Sequence, residues 1–147
     1  MKQNKINNFL ESWIDGIINI GKVYTDKGDF KEIANHFIDS HYAFNDESVL
    51  FKPTFTKEVI FRNSKHKALS YFVGGSIQED YGFALKPWEK ITIEELNILE
   101  ENGLKVAMGL FNLKPVKIDE ITSVAFTFVF TEDNDILKIK VHHSSPI

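Results

Sequence analysis

The chain has 147 residues, of which 43% are hydrophobic and 26% charged, and its formal net charge is −4. This length suits one domain with one sizeable hydrophobic core. The negative charge and the single arginine, Arg62, argue against nucleic acid as a partner, because phosphate binding requires clustered lysine and arginine. The chain has no cysteine, which excludes disulfides, thiolate nucleophiles and cysteine-ligated metal.

The first part of the chain, residues 1–43, has the periodicity of helices. One predicted helix buries a row of apolar residues at helical spacing, namely Phe9, Trp13, Ile17 and Ile20. Asp29 is predicted to be the N-cap of a second helix, whose apolar positions extend to His41. The amphipathic N-terminal segment lacks the continuous apolar run of a signal peptide or membrane span, so we expect a cytoplasmic protein that does not bind membranes.

From residue 49 the periodicity changes to two, which is typical of strands. The predicted strands are short at 49–52, 59–61 and 68–73, and longer at 88–99, 104–113, 121–131 and 136–143. A hairpin turn is predicted at 132–135, and Gly74-Gly75 would suit a bulge or sharp bend in the sheet. Two helices followed by antiparallel strands predict an α+β fold. The thirteen phenylalanines favour a strongly curved sheet wrapped around the helices.

The last predicted strand ends in a polar cluster. Its apolar row consists of Leu137, Ile139 and Val141, and alternates with Lys138 and Lys140. Because side chains two residues apart point the same way from a strand, we predict that His143 and Ser145 continue the buried row. By the same alternation, His142 and Ser144 point outward. A buried imidazole and hydroxyl must find hydrogen-bond partners or a ligand, which indicates a functional site at this end of the chain.

Several segments together resemble one protein family. They are residues 49–54 (VLFKPT), 70–75 (SYFVGG), 79–84 (EDYGFA), Pro87-Trp88, 107–109 (AMG) and 142–145 (HHSS). This ordered set is similar to the iota-class carbonic anhydrases, which share the cone-shaped fold of nuclear transport factor 2 and the ketosteroid isomerases. The similarity extends over nearly the whole chain from Trp13 onward. It implies a single NTF2-like domain over residues 1–147, with a curved antiparallel sheet around N-terminal helices.

The activity implied by this resemblance is the reversible hydration of carbon dioxide to bicarbonate. Matched motif by motif, the family's bicarbonate site implies Thr54, Tyr71, His143 and Ser145 as the catalytic and substrate-binding residues. One departure is that Pro146 follows Ser145 directly, where the family usually has an intervening residue. A homodimer is also implied, because the outer sheet faces commonly pair in this fold family.

The resemblance leaves the metal open, since some members are described as working without metal and others have been assigned manganese or zinc. A zinc site requires three converging histidine or carboxylate ligands. His36 and His41 lie about 140° apart around a helix axis. His142 and His143 are predicted on opposite sides of their strand, and His66 is isolated among lysines. No ligand spacing emerges, so we expect neither a metal nor another cofactor.

A metal-free site must make a nucleophile without a Lewis acid. In the zinc carbonic anhydrases, a standard example, the metal lowers the pKa of water from about 15.7 to about 7. At about 1.4 kcal/mol per unit, the same shift without metal would require about 12 kcal/mol, more than four neutral donors supply. We therefore hypothesise that water is deprotonated as it attacks, and that His143 or a path through Tyr71 accepts the proton.

Two other functions are compatible with the same fold. One is a non-enzymatic module for small-ligand binding or dimerisation, because this fold occurs in proteins of many functions and does not by itself imply an enzymatic reaction. In that case His143 is a core imidazole, Tyr71 a core tyrosine and Thr54 a turn residue. The other is isomerase-like proton transfer, which requires a carboxylate inside the apolar cone opposite Tyr71. The sequence does not place one.

Overall fold

Helices precede and cover one curved sheet in the computed structural model, which describes residues 4–147. The helices are α1 (Lys5–Thr25), α2 (Phe30–His41) and α3 (Lys65–Val73), with a short 3-10 helix at Phe83–Leu85. The strands are β1 (Leu50–Lys52), β2 (Trp88–Glu101), β3 (Leu104–Pro115), β4 (Thr122–Asp133) and β5 (Ile136–Pro146). The predicted α+β class, with N-terminal helices and a curved sheet, is confirmed.

The N-terminal helices form where the apolar spacing predicted them. The Asn4 side chain accepts a hydrogen bond from the backbone N–H of Ile6 at 2.7 Å and caps α1. Asp29 caps α2 by accepting from the N–H of Glu32 at 3.2 Å, as predicted. The apolar face of α1 is buried against the sheet, because removing apolar side chains from water lowers the free energy of the folded state.

The sheet has the strand order β1-β5-β4-β3-β2. The four long strands lie where the alternation predicted them and are antiparallel. The predicted hairpin turn joins β4 to β5, with Asn134 and Asp135 at positive φ. β1 differs from the predicted antiparallel arrangement, because it pairs with β5 in parallel at the edge of the sheet.

Two predicted short strands are wrong. Residues 68–73 belong to α3, where Ala68, Tyr71 and Phe72 share a buried helical face. A six-residue apolar run fits either period, and here packing selects the helix. Residues 59–61 form a loop, which the Glu79 carboxylate anchors from outside by accepting N–H groups at residues 57–59. Gly74 does not bend the sheet, because it ends α3 at φ +73°.

A bulge in β5 reverses the face of every residue that follows it. Phe130 of β4 pairs with Ile139 and Val129 pairs with Val141, so Lys140 has no partner across the strand pair. An extra residue of this kind shifts the alternation by one. His142 therefore lies opposite buried Phe128, and the predicted outward direction of His142 and Ser144 is wrong.

The same shift corrects the two predicted inward residues. His143 is exposed and Ser145 is only half-buried, on the outer face of the sheet. His142 and Ser144 are each 4% exposed and occupy the inner face in their place. The alternation predicted for the strand holds up to Ile139 and fails only beyond the bulge.

Among residues 4–147, no helix is long and apolar enough to cross a membrane. The helices instead bury aromatic rings against the inner sheet face. Trp13 of α1 stacks on Phe111 of β3 at 5.4 Å, and Phe111 stacks on Phe126 of β4 at 4.0 Å. Trp13 and Phe111 line the same cavity as the polar side chains of β5, His142 and Ser144.

Gly109 in β3 provides a test of this sheet. A Cβ at this position would overlap the backbone carbonyl oxygen of Glu95. Here the pairing of β2 with β3 shifts its register between Ile93 and Glu95. We expect Gly109→Ala to lower the free energy of unfolding by about 1–3 kcal/mol, because backbone cannot yield as a side chain can. Urea denaturation measures this loss. The control Lys90→Ala, at an exposed position of β2, should change stability by less than about 0.5 kcal/mol. An unchanged midpoint for Gly109→Ala would contradict the close approach of the two strands.

Candidate active site

A small enclosed cavity lies between the inner face of β5, α3 and the loop after β1. Its wall is mostly aromatic and aliphatic, and its polar side chains are Thr54, Tyr71, His142 and Ser144. The remaining wall consists of Trp13, Phe51, Pro53, Phe72, Phe83, Phe111, Leu113 and Val124. The centre of a water-sized molecule can occupy about 10 Å³ of it. We define this space as the inner cavity.

His142 is held by aromatic rings on two sides. Its ring stacks on Phe51 at 4.6 Å and meets the edge of Phe128 at 4.5 Å. Phe51 and His142 are also register partners in the parallel β1–β5 pair, so the backbone fixes the stack. Both ring nitrogens have partners, Nδ1 at 2.9 Å from the Tyr42 Oη and Nε2 at 2.7 Å from the Ser144 Oγ.

The hydrogen-bond chain selects one tautomer of His142. The Trp13 indole can only donate, and its Nε1–H reaches the Tyr42 Oη at 3.2 Å. If Tyr42 accepts this bond, its own proton is satisfied by donation to Nδ1 of His142. His142 then carries its proton on Nε2 and donates to the Ser144 Oγ. The Ser144 hydroxyl proton is left free to donate to a molecule in the inner cavity.

Burial keeps this chain neutral. It lowers the pKa of His142 well below its usual value, and the electrostatic influence of the neighbouring His143 and Lys52 acts in the same direction. Burial also raises the pKa of the Tyr42 phenol far above its usual value. The imidazole is therefore uncharged at neutral pH, and it serves as a fixed donor to Ser144 rather than as a ready proton acceptor.

Tyr71 and Thr54 form the opposite side of the inner cavity. Tyr71 lies on α3, not on the strand predicted for it, and its Oη accepts the backbone N–H of Phe55 at 3.3 Å. Burial raises the pKa of the Tyr71 phenol, while the Phe55 N–H and the Thr54 side chain counteract part of that rise. Thr54 is half-buried in the turn that follows Pro53. Both hydroxyls stay protonated at neutral pH.

The structure thus brings together two of the four predicted site residues, Thr54 and Tyr71, and replaces the other two. His143 and Ser145 do not line the inner cavity, which is lined by His142 and Ser144. The terminal motif HHSS contains two pairs of a histidine and a serine two residues apart, His142 with Ser144 and His143 with Ser145. The motif alone therefore does not show which pair faces inward. The sequence analysis did not predict a role for Tyr42. Its partner, His142, is 100 residues away in the chain, and local sequence patterns do not reveal such a contact.

The acidic pair ahead of Gly82 has a structural role. The Asp80 carboxylate accepts two hydrogen bonds from the buried Arg62 guanidinium, at 2.7 and 2.8 Å, and one from the Ser70 hydroxyl at 2.6 Å. Glu79 accepts backbone N–H groups of the preceding loop. In the part of the chain that the structure describes, no carboxylate lines the inner cavity, so the isomerase alternative lacks its base opposite Tyr71.

Metal-ligating groups do not converge within residues 4–147, where no cluster of three or more histidine, cysteine, aspartate or glutamate side chains could hold an ion. His142 uses both ring nitrogens in hydrogen bonds to protein groups. The donors that face the inner cavity are hydroxyls, which are poor ligands for zinc.

Two comparisons of sequence identify the relatives of this chain. The model of a family described as metal-independent carbonic anhydrase matches residues 4–146. A protein of Nostoc sp. (strain PCC 7120 / SAG 25.82 / UTEX 2576), named metal-independent carbonic anhydrase, is 34% identical over 141 residues. That match covers 92% of this chain and 68% of the Nostoc protein.

Solved structures agree with this assignment. The crystal structure of a cyanobacterial iota-carbonic anhydrase, complexed with bicarbonate, superposes with a TM-score of 0.91 at 31% identity, covering 99% of this chain and 92% of that one. A nuclear transport factor 2-like protein from Salmonella enterica serovar Typhimurium shares only the fold, with a TM-score of 0.59 at 13% identity over 97% of this chain and 88% of its own. Because the family model spans nearly the whole chain, the protein belongs to the family of metal-independent carbonic anhydrases.

Proposed function

We propose that the protein catalyses the reversible hydration of carbon dioxide to bicarbonate in the inner cavity, with Thr54, Tyr71, His142 and Ser144 as its site residues. The observation that carries this proposal is the neutral chain of hydrogen bonds that leaves the Ser144 hydroxyl free to donate into an apolar space. The cyanobacterial relative with bicarbonate bound supports the choice of substrate.

The chemistry of the inner cavity's wall suits both the substrate and the developing product. Its aromatic wall accepts carbon dioxide, which is small and apolar, without a desolvation cost. Negative charge develops on the oxygens of carbon dioxide as water attacks. Hydroxyls that are fixed in advance stabilise that charge strongly, because they need no reorganisation at the moment of reaction. Ser144 is fixed by His142, and Tyr71 is fixed by the N–H of Phe55.

Of the two proton acceptors in the sequence hypothesis, the position and environment of the histidines disfavour the histidine route. His143 is exposed on the outer face, and His142, which replaces it inside, resists protonation because burial lowers its pKa. We infer instead a relay through neutral hydroxyls. The water oxygen bonds to carbon, a water proton passes to the hydroxyl of Ser144 or Tyr71, and that hydroxyl's own proton passes to an oxygen of carbon dioxide.

The product of this relay is carbonic acid, which releases a proton to solvent and becomes bicarbonate. Because no free hydroxide is formed, the cost of about 12 kcal/mol for lowering the pKa of water at neutral pH does not arise. The raised pKa of the Tyr71 phenol agrees with the relay, since each hydroxyl takes up one proton while it gives up another. The Tyr71 path of the sequence hypothesis is retained in this form.

We further propose that the protein is a homodimer joined through the outer sheet face. None of the apolar side chains on this face is buried, namely Leu99, Val106, Met108, Leu110, Ala125 and Val129. They are neighbours in the register of β2, β3 and β4, so they form one continuous patch. Such a patch is costly to leave in water and is typical of a surface that meets a partner.

Paired alanine variants test the site residues against their outward-facing neighbours. We expect Ser144→Ala and His142→Ala to lower the rate of hydration by about 10²-fold or more, because the first removes a donor to the developing charge and the second removes the group that fixes that donor. Ser145→Ala and His143→Ala, one position along the same strand, should retain the wild-type rate within about twofold. Stopped-flow hydration of carbon dioxide by EDTA-treated protein measures all four.

Two outcomes would oppose the proposal. If wild-type rates persisted in well-folded His142→Ala, Ser144→Ala and Thr54→Ala, the non-enzymatic binding module would be the better explanation. If only His143→Ala and Ser145→Ala lost activity, the face assigned by the bulge would be in error.

The buried imidazole predicts a loss of stability in mild acid. The folded state keeps His142 neutral because its pKa is lowered, whereas the unfolded chain takes up a proton near a pH of about 6.5. The contribution is complete above that pH and is lost as pH falls, by up to about 1.4 kcal/mol per unit for one group. His41, whose pKa is also lowered by burial, acts in the same direction.

Urea unfolding between about pH 6.5 and 5 measures this slope before most carboxylates titrate. We expect His142→Gln to reduce the slope, because this variant removes the buried imidazole. Equal slopes for the wild type and His142→Gln would mean that His142 titrates normally in the folded protein.

The dimer proposal is tested at Met108, which is 53% exposed at the centre of the outer patch. Met108→Glu should convert the protein to a particle of one chain, 16.9 kDa, because a buried unpaired charge opposes association. Sedimentation equilibrium measures the mass. The control Ile118→Glu, at an exposed position outside the sheet, should leave the mass unchanged. A wild-type protein that sediments as one chain would refute the dimer.

A further inference from the structure

The inner cavity is too small for the molecule that it is proposed to release. It offers about 10 Å³ to the centre of a water-sized molecule, which is about the space that one water needs. Bicarbonate has four non-hydrogen atoms in one plane. Some part of the wall must therefore move in each turnover, and this argument rests on the proposed function.

Most of the wall is fixed. Phe51, 1% exposed, and His142, 4% exposed, stack on each other, and both ring nitrogens of His142 are hydrogen-bonded, so moving either ring would break contacts inside the core. Trp13 and Phe111 stack at 5.4 Å in the core, and both are almost fully buried. Phe72, 1% exposed, packs between Phe37, Phe51 and Tyr71. Displacing any of these rings would open the hydrophobic core.

Phe83 is different, because its ring is only half-buried and lies outside the sheet. It is the first residue of the 3-10 helix Phe83–Leu85, and its ring stacks on Tyr71 at 5.6 Å. Its carbonyl oxygen accepts the Trp88 Nε1–H at 2.8 Å. The backbone is thus anchored while the side chain has solvent on one side, so rotation about the side-chain bonds opens the wall without moving the chain.

A second and larger cavity lies on the far side of Phe83. It offers about 290 Å³ by the same measure, and both Tyr71 and Phe83 line it as well as the inner cavity. Its other walls include Phe55, Tyr81 and Trp88, of which Tyr81 is almost wholly exposed. We define this space as the vestibule. Lys86 and Thr122 on its wall offer donors to an anion, whereas the Glu79 and Asp80 carboxylates on the same wall are occupied by backbone N–H groups and by the Arg62 guanidinium.

A rival access route exists on the other side of the sheet. A groove of about 340 Å³ reaches Phe51 and His142 from outside, and exposed Phe61 forms part of its wall. Passage from this groove would require the stacked pair of Phe51 and His142 to separate. Because both of those rings are buried and both ring nitrogens of His142 are hydrogen-bonded, the vestibule is the easier route.

We propose that Phe83 separates the vestibule from the inner cavity and sets the largest molecule that reaches the site. Carbon dioxide, water and bicarbonate pass when the Phe83 ring rotates away from Tyr71. Larger planar anions enter the vestibule and stop there. Phe83 is in this sense a specificity-determining residue, and it takes no part in bond making.

The test compares anions of graded size on Phe83→Ala. Nitrate is planar and of the same size as bicarbonate, whereas benzoate carries an additional ring. We expect the inhibition constant of benzoate to fall at least tenfold in Phe83→Ala, with that of nitrate changing less than threefold. Phe61→Ala, which removes the exposed ring of the rival groove, should leave both constants at their wild-type values. Phe83→Leu, a milder change, should shift benzoate in the same direction by a smaller factor.

A binding readout separates failure of this proposal from failure of the proposed function. The chain has two tryptophans, and Trp13 lines the inner cavity while Trp88 lines the vestibule. In protein labelled with 5-fluorotryptophan, benzoate should not perturb the fluorine signal of Trp13 in the wild type, and should perturb it in Phe83→Ala. This measurement requires no catalytic activity.

Three results would overturn the proposal. One is a Trp13 signal and a benzoate constant that are both unchanged in folded Phe83→Ala and Phe83→Leu. Another is a wild-type Trp13 signal that already responds to benzoate. The third is a response produced by Phe61→Ala, which would move the access route to the groove. An inactive wild type with the expected fluorine shifts would instead refute the proposed function and leave the size limit intact.

Discussion

The polar groups of the inner cavity depend on one unpaired residue in β5. Lys140 has no partner on β4, and the residues beyond it are therefore displaced by one position relative to the alternation that precedes it. This displacement turns His142 and Ser144 toward the aromatic core and His143 and Ser145 toward the outer face. It also places His142 in register with both Phe51 and Phe128, so that strands on its two sides hold the same ring. A backbone irregularity thus creates a polar site inside an apolar sheet face.

A buried polar site of this kind is stable only if each donor and acceptor is satisfied. The chain from Trp13 through Tyr42 and His142 to Ser144 meets this condition without any charge. No buried side-chain nitrogen or oxygen lacks a partner in the described part of the protein. Because burial lowers the pKa of His142 and raises that of Tyr42, protonation changes that would break the chain are unfavourable. In the proposed reaction, the same neutrality favours hydrogen-bond donors and hydroxyl relays, and the family to which the chain belongs is described as metal-independent.

The only arginine organises the other side of the cavity. Arg62 is fully buried, pairs with Asp80 and donates to the carbonyl oxygens of Val59 and Lys67. It therefore joins the loop after β1, which carries Thr54, to α3, which carries Tyr71. The cost of burying the guanidinium is offset because its nitrogens find acceptors on all sides. The two hydroxyls opposite Ser144 are consequently held by an ion pair, whereas Ser144 itself is held by the sheet.

The sequence by itself determined the two N-terminal helices and the four long strands, because repeated apolar spacing over many residues leaves one period possible. The residue types predicted for the site came from motifs that resemble those of the family. Thr54 and Tyr71, which line the inner cavity, were also predicted from motifs, although Tyr71 was placed on a strand. The tertiary structure decided which histidine and which serine face inward, because a bulge arises from the pairing of two strands and leaves no mark in the alternation of one. It also decided the helix at α3, since a short apolar run takes the conformation that buries it best among its neighbours.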